Sequence, residues 1–270
     1  MRTPDRLSDF ETQNPYLYGM PMLFPPNRIS GAEFEFEDRI YKLPLNEPKT
    51  GCFVHGTMHE TEFTVSQLGD AEITLYFEAT KENPYLTFPH TFSIQVKYAL
   101  SEEKLLQTVS IYNKSDTNMP IGVGFHTTFD SKDCNSFRVR ACIQKEFLRN
   151  EKYLPTGEYQ TDNERIRSLN SPDGYDTKKE LSALFKLGNS HLITVQRADN
   201  IKINYRLDEK YKYLMIFNTG SSGEYVCIEP QSWISNCPNI DNREKYGFTY
   251  IRPDETITYD MSISAQSNNL

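Results

Sequence analysis

The sequence predicts an all-β protein built as a large antiparallel β-sandwich, and three observations lead there. Several stretches alternate apolar and polar residues, the period of a half-buried strand. Tyr and Phe are abundant, at 17 and 16 residues, and such rings suit pleated, half-buried surfaces. Helical periodicity is scarce. A chain of 270 residues fits one large β unit and can bury a sizeable core.

Residues 73–77 are the first strand candidate. Phe92, Ile94, Val96 and Tyr98 then take every second position. A polar turn follows at residues 101–104, and Val109 and Ile111 alternate again, so this region reads as a long hairpin. Residues 151–176 are polar and hold Pro155, Gly157, Pro172 and Gly174. They read as a long loop inserted in a single domain spanning 1–270. Residues 178–187 (KKELSALFKL) place Leu181, Leu184 and Phe185 on one helical face, which predicts a short helix. Further strands are expected at residues 192–196, 201–205, 213–217 and 225–229. After the turn Pro253-Asp254-Glu255, a last strand carries Ile257, Tyr259, Met261 and Ile263.

The net charge of −8 argues against a nucleic-acid partner, which needs clustered cations for its phosphates. It is the charge of a soluble protein. The cysteines are Cys52, Cys134, Cys142, Cys227 and Cys237. Their number is odd and no pair forms C-x-x-C, so free thiols in a reducing compartment are expected. The opening stretch MRTPDRLSDF has no apolar signal core. No apolar run approaches membrane-spanning length. A cytoplasmic protein with no membrane partner is the expectation.

There are five histidines. His55 and His59 have H-x-x-x-H spacing, which holds a metal when helical. Here Gly56 and strand-like flanks oppose a helix, and no third ligand lies close, so no metal is expected. His126 ends an apolar run in MPIGVGFHTTF. A satisfied core histidine and a neutral-pH proton donor are both open there. Glu229 lies in YVCIEPQSWISN, at the end of a strand and before Pro230, which ends regular pairing. It can face water, or enter a cleft where partial burial tunes its pKa. Arg28 follows two prolines in LFPPNRI. Such a stiff loop can present a guanidinium to vicinal hydroxyls, or the arginine can pair with an acid.

Six segments in order give these residues a setting: YGMPMLFPPNRISG, YKLPLNE, VHG, MPIGVGFH, LPTGE and VCIEPQSW. Together they resemble the aldose 1-epimerase (galactose mutarotase) family from about Pro15 to the C-terminus. The resemblance implies the supersandwich fold, a small-molecule sugar substrate and no cofactor. It implies that Glu229 is the catalytic base and His126 the catalytic acid. Arg28 and His55 contact the sugar, Asn27 beside Arg28 is expected to share that role, and Trp233 is expected to stack on the sugar. Three departures stand out. Thr127 and Thr128 follow His126 where the family has Pro-Tyr. Ser182 stands where a sugar-binding aspartate is usual. The stretch before the proline-rich segment is short, as if the usual first strands were missing.

The chemistry implied is interconversion of α and β anomers of a free aldohexose by acid–base ring opening. Two rivals follow from the same segments. A carbohydrate-binding protein without turnover fits the Ser182 departure, although it needs no acid–base pair. A hexose-phosphate 1-epimerase needs cations around the phosphate, for which Arg28 and Arg39 are candidates. A glycosidase needs two flanking carboxylates, and only Glu229 has a distinctive setting.

Overall fold

The computed structural model describes residues 1–6, 8–9, 14–130, 137–220 and 225–267. It is dominated by two large antiparallel sheets. The first, of eight strands, runs Met22–Leu23, Gly124–Phe125, Tyr225–Gln231, Tyr213–Asn218, Leu181–Leu187, Ile143–Arg149 and Pro155–Gln160, with Thr127–Asp130 also pairing Tyr225–Gln231. The second has nine strands. At its centre Ile201–Leu207, Thr256–Ser267, Lys104–Asn113 and Phe92–Leu100 lie side by side.

Alternation produced these elements. The hairpin of Phe92–Leu100 and Lys104–Asn113 stays in register from Phe92↔Asn113 to Leu100↔Leu105. Phe92, Ile94 and Val96 point into the core, as do Val109 and Ile111. The sheets meet through aromatic rings. Phe129 of the first packs on Tyr205 of the second at 6.2 Å, and Tyr211 bridges Phe125 and Tyr259. The Tyr205 hydroxyl is satisfied by Thr127 at 3.0 Å, as a buried phenol requires.

Two expectations need correction. Residues 178–187 form no helix; Leu181–Leu187 is a strand paired on both sides, with Tyr213–Asn218 and Ile143–Arg149. Buried and half-buried positions alternate along it except at Leu184, and buried Leu184 beside Leu181 and Phe185 imitates a helical stripe. Residues 151–176 are not simply loop. They contain the strand Pro155–Gln160 and the helix Glu164–Asn170, whose first turn is capped by the Asn163 side chain accepting from Ile166 N–H. Cys52, Cys142, Cys227 and Cys237 are free thiols; Cys134 lies outside the described residues. No helix is long and apolar enough to cross a membrane.

Candidate active site

A cleft of about 470 Å³ opens on the first sheet. Glu229 sits on its floor. The strand Tyr225–Gln231 pairs on one side with Tyr213–Asn218, which puts Met215 opposite Glu229. On the other side the pairing is interrupted: Thr127 pairs with Ile228 and Gly124 with Gln231. Glu229 and Pro230 therefore face a gap in the sheet, and Phe125-His126 crosses it. Pro230 does not end the strand, as the sequence suggested, for pairing continues to Gln231. Proline lacks an N–H, so its own position leaves no ladder donor unpaired at the gap. His126 Nε2 lies 3.3 Å from Glu229 Oε1 within this break.

Both groups are buried. Burial pushes the Glu229 carboxyl up to about 8, against the pull of Arg28, Arg149 and the nearby Gln231 amide. Burial pushes the His126 imidazole down to about 4, although the backbone carbonyls of His126 and Tyr16 favour its charged form. The 3.3 Å contact is longer than the roughly 2.7–2.9 Å of a charge-assisted hydrogen bond. Charge pairing therefore offsets little of the desolvation, and the resting pair is a carboxylic acid beside a neutral imidazole. One proton is held between two groups. His126 Nδ1 is buried and has no partner of sound hydrogen-bond geometry.

The wall opposite comes from two segments locked together. Asn27 and His55 both have left-handed backbones, with φ of 60° and 65°, unusual for residues with side chains. They support each other: His55 N–H donates to Asn27 O at 3.1 Å, and Asn27 N–H reaches His55 Nδ1 at 3.4 Å. His55 Nδ1 is thus engaged, and burial together with His126 and Arg28 holds its pKa well below the usual range. Gly56 follows at φ 73°, where a Cβ would lie 2.1 Å from the Phe24 carbonyl; only glycine allows the two strands so close. Asn27 is buried and donates to Gln231 Oε1 at 3.2 Å.

Arg28 is the acid-paired arginine that was one of the two alternatives open in the sequence. It lines the cleft and it is paired to an acid, donating from Nε and Nη2 to the two oxygens of Glu47, each at 2.7 Å. Thr50 donates to the same carboxylate. Burial raises the Glu47 pKa, but the hydrogen bonds from Arg28 and Thr50 together hold it below the usual carboxylate range. A fork held this way is oriented before any ligand arrives.

Six lining residues escaped the sequence reading: Glu47, Arg149, Tyr153, Glu180, Met215 and Phe217. Arg149 closes the cleft beside Ser182, donating from Nη2 to the Ser182 hydroxyl at 3.1 Å and to its carbonyl. Tyr153 stands at the rim, its ring centroid 4.8 Å from the Arg28 guanidinium and 5.7 Å from that of Arg149. Glu47 lies in YKLPLNE, but nothing in that segment marks it as the partner of Arg28. For Arg149 the only local signal was its place before the turn joining Ile143–Arg149 to Pro155–Gln160.

Trp233 does not line the cleft. It is buried in the core, stacked on Phe248 at 6.1 Å, and Gly122 leaves room for its ring. Its indole N–H donates to Pro26 O at 3.3 Å. The expected stacking on sugar is therefore corrected: Trp233 supports the loop that carries Asn27 and Arg28. His59 lies in a single 3-10 turn, Met58–Glu60, too short to align it with His55 on an α-helical face, and it joins a ring cluster with Tyr16 packed 4.1 Å from it and 5.1 Å from His55. Among the described residues, the ligand-type atoms that converge are those of His55, His126 and Glu229, all within 4.8 Å of one another. That set is also the buried carboxyl–imidazole pair and its neighbour.

A sequence model of the family described as aldose 1-epimerase matches residues 1–264. The fold is similar to that of a galactose mutarotase-like protein from Clostridium acetobutylicum, with a TM-score of 0.90 and 32% identity over 98% of this chain and 85% of that one. Two uncharacterized proteins of Escherichia coli K12 are more distant. YphB is 21% identical over 253 residues, 91% of this chain and 83% of its own. YihR is 28% identical over 102 residues, 37% of this chain and 32% of its own, so the chain spans only about a third of that relative.

Proposed function

Since the chain belongs to the aldose 1-epimerase family, we propose that it interconverts the α and β anomers of an aldose, with Glu229 and His126 handling the protons. The observation that carries this reading is the buried carboxyl–imidazole pair, 3.3 Å apart, at the floor of a cleft. Ring opening moves two protons at neighbouring atoms. A base takes the proton from the C1 hydroxyl, C1 becomes a carbonyl, and the bond from C1 to the ring oxygen breaks. An acid gives that oxygen a proton. Rotation about C1–C2 presents the other carbonyl face, and the reverse steps close the ring. The catalyst ends with the proton count it began with, so a pair holding one proton is sufficient.

In the productive state Glu229 is the carboxylate and His126 the imidazolium. The resting arrangement differs by one proton transfer across their contact. Arg28 and Arg149 favour the carboxylate by Coulomb attraction. Arg28 and His55 hold sugar hydroxyls, and Asn27 fixes His55. Each positioned acid or base contributes roughly 10²–10⁴-fold.

The experiment is anomer exchange, followed by polarimetry and NMR on freshly dissolved α-sugars, neutral hexoses together with hexuronates and hexose 6-phosphates. Exchange above the spontaneous rate is expected for at least one class. Undiminished catalysis by both Glu229→Gln and His126→Asn would sink the assignment. Sugar binding by calorimetry with no added exchange would leave a sugar-binding protein without turnover. Activity is expected to survive EDTA; loss restored by a divalent ion would transfer the role of His55, His126 and Glu229 to metal binding.

A further inference from the structure

We infer that the sugar taken by this cleft carries an oxyanion on its exocyclic carbon, bound by Arg149, an inference about substrate class that rests on the epimerase reading above. Two guanidinium groups line the cleft, and they are neutralised unequally. Arg28 is held by both oxygens of Glu47. Arg149 donates only to the hydroxyl and carbonyl of Ser182 and, weakly, to Met215 Sδ at 3.7 Å. Among the described residues, no carboxylate lies within ion-pairing distance of it. Glu180, which also lines the cleft, is exposed and unpaired with it. Tyr153 orients both guanidiniums with its ring face, and a phenol ring carries no countercharge.

Arg149 is therefore a partly buried cation with no carboxylate in contact with it. Its burial and the nearby charge of Arg28 act against it, while the carboxyls of Glu229 and Glu146 support it only from beyond contact. A neutral hydroxyl could accept a hydrogen bond but would leave that charge uncompensated as water is excluded. A carboxylate or phosphate ester completes it, and the planar fork suits such groups.

Position agrees with charge. Arg149 touches Met215, and Met215 stands directly across the sheet from Glu229. Directly opposed side chains are roughly 5 Å apart, so the guanidinium lies about one side chain beyond the proton-transfer pair. A hexose with C1 at Glu229 and His126 extends its C5 substituent beyond the ring oxygen. Hexuronates carry a carboxylate there, and hexose 6-phosphates carry a phosphate.

The test compares α-glucuronate, α-galacturonate and α-glucose 6-phosphate with α-glucose and α-galactose on the same protein. Exchange kinetics and calorimetric binding are both measured. A charged hydrogen bond is worth roughly a 10–100-fold preference in kcat/KM for the anionic sugars, and rising salt should shrink it. The uronate and phosphate arms show which oxyanion fits. Arg149→Gln should cut kcat/KM for the anionic sugar at least roughly ten-fold more than for the neutral one, mainly through KM. Arg149→Lys, which keeps the charge, should restore part of the preference.

Neutral sugars turned over as well as anionic ones would overturn the inference and leave the epimerase reading standing. Arg149-dependent binding of anionic sugars without exchange would do the reverse. A wild-type preference with no salt dependence would also count against Arg149, whether or not the variants fold.

Discussion

The cleft at His126 and the cavity at His90 have nearly the same volume, about 470 and about 460 Å³. Each contains a buried histidine that burial pushes down to about 4. Size and a shifted histidine do not separate them; their partners do. His90 is engaged on both nitrogens, with the Tyr41 hydroxyl at 2.8 Å and the Ser115 hydroxyl at 3.1 Å. It is a satisfied core group that fixes one strand end. His126 has one nitrogen without a sound partner and the other facing a buried carboxyl at 3.3 Å. Incomplete satisfaction of buried polar atoms, which is costly in a core, marks the place where a ligand is expected to complete the network.

The strongest way to break this contrast is mutation at the two sites. Glu229→Gln and His126→Asn should each lower kcat by roughly 10²–10⁴-fold. His90→Asn should leave kcat within about three-fold while costing about 1–3 kcal/mol in unfolding, because Tyr41 and Ser115 lose their partner. A rate loss in His90→Asn as large as that in His126→Asn would erase the distinction.

A pH profile sharpens it. The pair works with one proton, so kcat/KM should fall below about 4, where His126 also binds a proton, and above about 8, where Glu229 loses its own. These limbs belong to the pair and not to either residue alone. A profile flat across pH 8 would refute the raised carboxyl.

Stability gives a third measurement. The folded protein keeps the Glu229 proton up to about 8, whereas an ordinary carboxyl releases it near 4.5. The folded state thus binds more protons than the unfolded chain between these values, and stability falls as pH rises through them. Glu229→Gln removes that term. Its gain in unfolding free energy over wild type should be small below 4.5 and largest above 8, where it approaches about 2–4 kcal/mol. The smallest effect is expected from Glu47→Gln. Freeing the Arg28 fork should raise KM by roughly ten-fold with less change in kcat.

Much of this was legible in the sequence, for reasons particular residues make clear. The hairpin around residues 101–104 was visible because one face of each strand is buried and the other is wet. Leu181–Leu187 was misread because Leu184, buried on the face that also carries half-buried Ser182 and Lys186, breaks that alternation. Arg28, His55, His126 and Glu229 were found through ordered segments, and the structure brings all four to one cleft. Arg149 and Tyr153 were missed because their positions depend on a turn and on strand pairing, not on any local motif. Trp233 was misplaced because an indole suits sugar faces and cores alike, and only the void at Gly122 decides between them.

That indole has a practical consequence. It is the only tryptophan in the chain, and its N–H holds the carbonyl of Pro26, directly before Asn27 and Arg28. The protein therefore contains a built-in fluorophore wired to the cleft-lining loop. Its emission should be blue-shifted in the native state and move to the red on unfolding. A change in intensity on ligand addition would report, without a label, that the loop has felt the cleft being filled.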